Sequence, residues 1–347
     1  PTGCPGCAFW VAPAHPRSWP RSPPLRGPLH RLRNTEARDR VLLVASNAVH
    51  LGEATPPEVA FLVYLFLYLR RVRTLSREGR PVAGWRIASF LSGVVTLTAV
   101  QVGPLDNLAD SVLVAHMAQH LILGDLATLL VVLGLTGPVI APLMHFKPTR
   151  PLRVLCSPVP ALVLWAVDLY AWHTPFAYQQ AIRHDLVHAF EHLCFFWFGL
   201  LLWMALIGPL PKPRWFTLGW GKVLYVIVVR FVGAVLANVL IWSQTVFYPV
   251  YKPTDAGHGL SPLSDQNLAG GLMMVEEILL TTLILAWVFY RFAIQDEERQ
   301  SLLDFADAHG VELSEERAAR AAAAGTSEHL RERLLAGATD GSAGDES

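Results

Sequence analysis

Thirteen histidines occur in the chain, and six of them fall at spacings that suit metal binding. His116 and His120 are four residues apart, so a helix would present both imidazoles on one face. His184, His188 and His192 repeat at the same interval, with Glu191 beside the last. His173 stands a little upstream of that run, and Met117 adjoins His116. Met273 and Met274 supply thioethers further on, and Asp265 and Gln266 are additional ligand-type side chains. Imidazoles with nearby thioethers suit copper, above all Cu(I). Any one of these histidines alone is more simply read as a hydrogen-bonding group between helices. Together they point to a site built on His116, His120, His188 and His192, with Met117, His184, Glu191 and His173 as further candidate ligands. His188, Glu191 and His192 also match the inverted zinc-peptidase pattern H-x-x-E-H, in which the glutamate serves as general base. Paired histidines on separate membrane helices can likewise ligate haem.

The elements that would position these groups are hydrophobic helices. Hydrophobic residues make up 52% of the chain and charged ones only 16%, against about 25% charged in soluble domains. Crossing the hydrocarbon core takes about 20 mostly apolar residues. Seven segments qualify or come close: 57–69, 82–102, 111–135, 157–172, 186–207, 222–242 and 268–292. The fold expected is therefore an all-α bundle of seven membrane spans. Alternate loops are strongly basic, with Arg70, Arg71, Arg73, Arg77, Arg80 and Arg86 after the first span, Lys147, Arg150 and Arg153 after the third, and Lys212, Arg214 and Lys222 after the fifth. The other loops hold only Arg183 and Lys252. Basic loops stay cytoplasmic, which puts the N-terminus outside and the C-terminus inside. All the candidate histidines then sit near the outer surface. Lys+Arg and Asp+Glu both total 28, and nothing suggests a nucleic-acid partner.

Three domains are expected. Residues 1–40, rich in Arg and Pro and lacking Met, read as a spurious or disordered leader, with translation starting near Val41. Cys4 and Cys7 within that leader form the one close cysteine pair. Residues 41–294 form the membrane domain. Residues 295–347 form a charged cytoplasmic tail, with a soluble helix over 298–335 and a disordered Gly-, Ala- and Ser-rich end. Arg230 and Glu276 each lie about eight residues into a span, roughly 12 Å deep at 1.5 Å per residue, and are expected to pair near the midplane.

Several stretches taken in order resemble one family. They are Gly103-Pro104-Leu105-Asp106, His116-Met117-Ala118-Gln119-His120, and Trp172-His173-Thr174-Pro175 followed by Tyr178, Ala181 and His184. His188 with Glu191-His192 comes next, then Tyr248-Pro249-Val250-Tyr251, and lastly Asp265-Gln266-Asn267-Leu268-Ala269-Gly270-Gly271-Leu272-Met273-Met274. Over residues 57–292 this combination resembles the CtaG-type cytochrome c oxidase assembly factors of bacteria. The resemblance implies a multi-pass plasma-membrane protein, not an enzyme, that handles or delivers copper. Its implied partners are cytochrome c oxidase subunits or a copper chaperone. The chain departs from the family pattern at Gly124-Asp125-Leu126-Ala127-Thr128 and at Glu276-Glu277, where acids enter the spans.

Overall fold

Long apolar runs give a structure in which, among the described residues, every regular element is helical. The computed structural model describes residues 56–102, 104–146, 149–217 and 220–342. Cys4, Cys7 and the expected start near Val41 lie outside the described residues. The helices are α1 (Pro56–Arg77), α2 (Gly84–Val102), α3 (Pro104–Ala109) and α4 (Leu113–Gly134). Then come α5 (Gly137–His145), α6 (Arg150–Leu155), α7 (Pro158–Trp172), α8 (Pro175–Arg183) and α9 (Asp185–Leu206). The remainder are α10 (Arg214–Thr217), α11 (Trp220–Trp242), α12 (Lys252–Asp255), α13 (Pro262–Ala308), α14 (Glu315–Ala324) and α15 (Ser327–Ser342).

Five of these, α2, α4, α9, α11 and α13, are long and apolar enough to cross a membrane. The remaining two expected spans look different. Residues 57–69 form only part of α1, which continues through Arg70, Arg71 and Arg73 to Arg77. Residues 157–172 form α7, whose 15 residues rise about 22 Å, short of a core about 30 Å thick. Proline at the first turn of α7, α8 and α13 presets the backbone for entry into each helix. Thr174 and Ser261 cap α8 and α13 by accepting from the amides of Ala177 and Ser264.

Helix α4 occupies the middle of the bundle, packed on α2, α9 and α13, while α11 runs along α13 and α7 along α9. One core of buried apolar side chains joins them, from Phe90 and Leu97 of α2 to Trp203 of α9 and Leu240 of α11. Two close backbone approaches set the spacing. A Cβ on Gly199 of α9 would stand 2.1 Å from the Gly124 carbonyl oxygen of α4, and one on Gly134 would stand 2.5 Å from the Phe90 Cβ. Only glycine allows these helices to touch so closely.

Helix α4 is not a uniform α-helix. Residues Ile122–Ala127 form a π-helical turn, a feature that marks functional sites in many helices. The Thr128 hydroxyl donates back to the carbonyls of Gly124 and Asp125 within it. At the other end of the chain, α13 runs for 47 residues, about 70 Å, so it extends well past any bilayer core. Its last turns carry Leu302 and Ala306, which bury against Ala318 and Ala321 of α14 and Leu330 and Leu334 of α15. The tail is thus a small packed unit. Gly310 and Gly325, both at φ +65°, make the breaks between its helices, and α15 reaches Ser342, further than the composition implied.

Candidate metal centre

The two histidine-bearing helices meet side by side. α4 brings His116 and His120, and α9 brings His188 and His192, each pair four residues apart on one helical face. One ligand nitrogen from each of the four lies within 4.8 Å of all the others. The rings stack and edge against each other at centroid separations of 4.3 Å for His116 and His120, 4.2 Å for His188 and His192, and 5.1 Å for His116 and His188. His116, His120 and His192 are buried, and His188 is partly so.

Such burial is expensive for unpaired polar atoms. Neither ring nitrogen of His116 or His120 makes a hydrogen bond, nor does Nε2 of His188 or of His192. The Ala109 carbonyl lies near His116 without closing a hydrogen bond. Leaving a buried donor or acceptor unmade costs roughly 1–3 kcal/mol for each group. An ion taking one lone pair from each of the four imidazoles would satisfy four of these six nitrogens. On a tetrahedral ion with metal–nitrogen bonds of about 2.0–2.1 Å, the nitrogens stand about 3.3 Å apart. The four ligand nitrogens, within 4.8 Å of one another, would have to draw closer to reach that spacing.

The further candidates are placed unequally. Glu191 is fully buried beside the cluster, with Oε2 3.9 Å from His120 Nε2 and neither oxygen hydrogen-bonded. His173 is buried as well. Its Nδ1 bonds the Leu169 carbonyl at 2.7 Å, leaving Nε2 without a partner behind Phe195 and Tyr178, outside the group of four. His184 is exposed at the junction of α8 and α9. Met117 is buried in the apolar core, on the residue after His116 and so about 100° around the helix from it. Met274 receives a contact from the Asn238 amide at 3.6 Å.

Asp265 and Gln266, read from sequence as ligand-type groups, hold the scaffold instead. The Asp265 carboxylate accepts from the Leu113 and Val114 amides at 2.5 and 3.0 Å, which caps the start of α4. Those amides are the open donors of a helix N-terminus, where a negative charge is favoured. Gln266 accepts from the Phe247 amide and donates to the Thr245 and Leu240 carbonyls. Gln119, between the two histidines of α4, donates to the Val100 carbonyl and the Asp106 carboxylate, both at 2.8 Å. Three tyrosines form a layer above His116. Tyr178 lies 5.1 Å from its ring, Tyr178 and Tyr251 share a hydroxyl contact at 3.2 Å, and Tyr248 donates to the His173 carbonyl at 2.8 Å.

Deeper along α4 is a group that the sequence located only in part. The Arg230 guanidinium of α11 meets Glu277 at 3.2 Å, Asp125 at 3.6 Å and Glu276 at 3.7 Å. The expected pair is therefore a four-member network, and Glu277 rather than Glu276 makes the hydrogen bond. Gly233 leaves the space for it, since a Cβ there would fall 1.9 Å from Glu277 Oε1.

Residues 66–295, two thirds of the chain, match the family model described as cytochrome c oxidase caa3 assembly factor. The chain belongs to that family. The four clustered histidines and the buried charge network both lie inside the matched region. Two curated relatives, uncharacterized proteins of Mycobacterium bovis and Mycobacterium tuberculosis, are each 24% identical to it over 264 residues. That alignment covers 69% of this chain and 40% of each relative, so the chain spans about two fifths of their length. No solved structure matches. The matched region holds all five helices that are long and apolar enough to cross a membrane, from α2 to the first part of α13.

Proposed function

We propose that this protein is a multi-pass plasma-membrane factor that takes up copper near the outer face and passes it to a cytochrome c oxidase subunit or a copper chaperone. The observation that carries this reading is the convergence of His116, His120, His188 and His192, with six of their ring nitrogens unpartnered, inside a member of an oxidase assembly family. Copper is the cargo here, and the protein's role is binding and handover, not catalysis. Neutral imidazoles suit copper, and a site made from two helices can open by a small shift between them. Handover would proceed by ligand exchange, with His173 Nε2 and Glu191 adjoining the group of four. The basic loops orient the chain with its N-terminus outside and its C-terminus inside.

Metal quantification on the detergent-purified protein tests the reading. Wild type should carry about one copper per chain after growth in copper, and a His116→Ala/His120→Ala double variant should carry almost none. Equal copper in the two would overturn it. Orientation is read separately, by labelling a Leu186→Cys variant from outside with a membrane-impermeant thiol reagent, Leu186 being exposed at the start of α9. Two other readings fare worse. A zinc peptidase needs a water-accessible general base, and Glu191 is fully buried. A haem site needs a slot between its axial ligands, whereas these four imidazoles pack ring against ring.

A further inference from the structure

A groove of about 550 Å³ opens on the far side of α9 from the histidines, between α1, α5, α6 and α9. Its walls are almost wholly apolar, with Leu67 and Leu143 on one side and Leu201 and Met204 of α9 on the other. Leu67 and Leu143 are also exposed, so the groove is continuous with the flank that apolar helices would turn toward lipid. One end differs. Arg70, Arg71 and Thr74 line it, and Arg73, Arg77 and Arg80 follow on the same helix and the turn beyond.

The arginines divide by what they already hold. Arg71 is engaged, with Nε and a terminal nitrogen donating to the Pro138 carbonyl at 3.1 and 3.0 Å. Arg70 is exposed, and its guanidinium makes no hydrogen bond or ion pair among the described residues. An occupant must therefore be apolar along most of its length and negative at one end. Size narrows it further. At roughly 30 Å³ for each water-sized group the groove holds about eighteen, which is one acyl chain. A partner helix about 10 Å across would need about 420 Å³ for every turn, so barely more than one turn would fit.

We propose that this groove binds one acyl chain of an anionic phospholipid, with the headgroup phosphate at Arg70. A lipid seated there would bridge α1 and α5 to α9, the helix that carries His188 and His192. The site is independent of the copper reading, since none of its residues is a candidate ligand.

Cys156, buried and free, lines the groove and reports on its occupancy. The full chain, with Cys4, Cys7 and Cys194 replaced by serine, is placed in nanodiscs of phosphatidylcholine alone or with phosphatidylglycerol. The rate of alkylation of Cys156 by a small apolar maleimide is then measured. Phosphatidylglycerol should slow alkylation about fivefold, the effect of one arginine at an anionic surface, and Arg70→Gln should remove that difference while leaving the rate in phosphatidylcholine unchanged. Native mass spectrometry should find phosphatidylglycerol retained on wild type in preference to phosphatidylcholine. Equal rates and equal retention in the two lipids would overturn the proposal in favour of neutral chains. Protection that rises with protein concentration instead of phosphatidylglycerol content would overturn it in favour of a second copy.

Discussion

Replacing Asp265 by alanine should loosen the helix that carries half of the metal centre without touching a ligand. Its carboxylate accepts from two successive amides at the start of α4, Leu113 at 2.5 Å and Val114 at 3.0 Å, and is 1% exposed. Hydrogen bonds to a charged group contribute about 1.5–3 kcal/mol each, and a charge at a helix N-terminus about 0.3–1 kcal/mol more. The two bonds share one carboxylate and are not independent, so about 3 kcal/mol is a fair total. At 1.4 kcal/mol per tenfold, the frayed form of the first turn becomes more populated by a factor of about a hundred. His116 lies one turn inside that cap, so copper affinity should fall with it. Asp265→Asn keeps one acceptor oxygen and should recover about half of the loss. Reversible unfolding in detergent, followed by circular dichroism, gives the stability, and competition against a calibrated Cu(I) chelator gives the affinity. If Asp265→Ala unfolds and binds copper like wild type, the cap does not position His116 and the reasoning fails. A stability loss with unchanged affinity would show that the cap serves the bundle but not the site.

Substitutions at four other positions probe the scaffold. Gly199→Ala would drive a Cβ into the Gly124 carbonyl, and overpacking of about 1–3 kcal/mol should separate α4 from α9 and weaken copper binding. Gly271→Ala, which meets nothing within 4 Å, should be neutral or stabilise α13 by up to about 1 kcal/mol in the same unfolding assay. Arg230→Gln leaves three carboxylates without their cation and should destabilise by about 3–5 kcal/mol, whereas Arg230→Lys should recover part of that loss in detergent unfolding. Asp255, buried beside Asp265 with neither oxygen hydrogen-bonded, has its carboxyl pushed up to about 6 by burial and by the Asp265 charge. The folded chain therefore holds that proton more tightly than the unfolded chain does. The stability this contributes is full below pH 3.8 and should be lost as pH rises through about 6, and Asp255→Asn should abolish this part of the pH dependence.

The histidine pairs were legible because their spacing matches the helical repeat: four residues put His116 over His120, and His188 over His192, in any α-helix. Hydropathy marked both segments as long apolar helices and the basic loops set both pairs at one expected depth, but that α4 and α9 pack side by side is given only by the structure. Asp265 and Gln266 were legible as unusual but not as scaffold. A carboxylate aimed at the open amides of a helix 152 residues earlier in the chain leaves no trace in spacing. Arg230 posed a finer problem. Depth counting paired it with Glu276, but adjacent residues lie at nearly one depth and point about 100° apart, so only the rotation of α13 brings Glu277 into the hydrogen bond. The contribution of Asp125 depends on the π turn of α4, whose register no apolar pattern reports. The resemblance residues divide along the same line. Gln119, Tyr178, Tyr248, Tyr251, Asp106, Asp265 and Gln266 tie helix ends and loops around four imidazoles, which face one another with nitrogens unpartnered, as do the neighbouring Glu191 oxygens. A buried cluster left this way is stable only because the frame around it is over-determined, and the frame accounts for most of the motif. Substitutions in the frame should therefore lower stability and copper affinity together, while a single histidine substitution should lower copper affinity and leave stability unchanged or raised, since it removes a buried group whose nitrogens are unpaired.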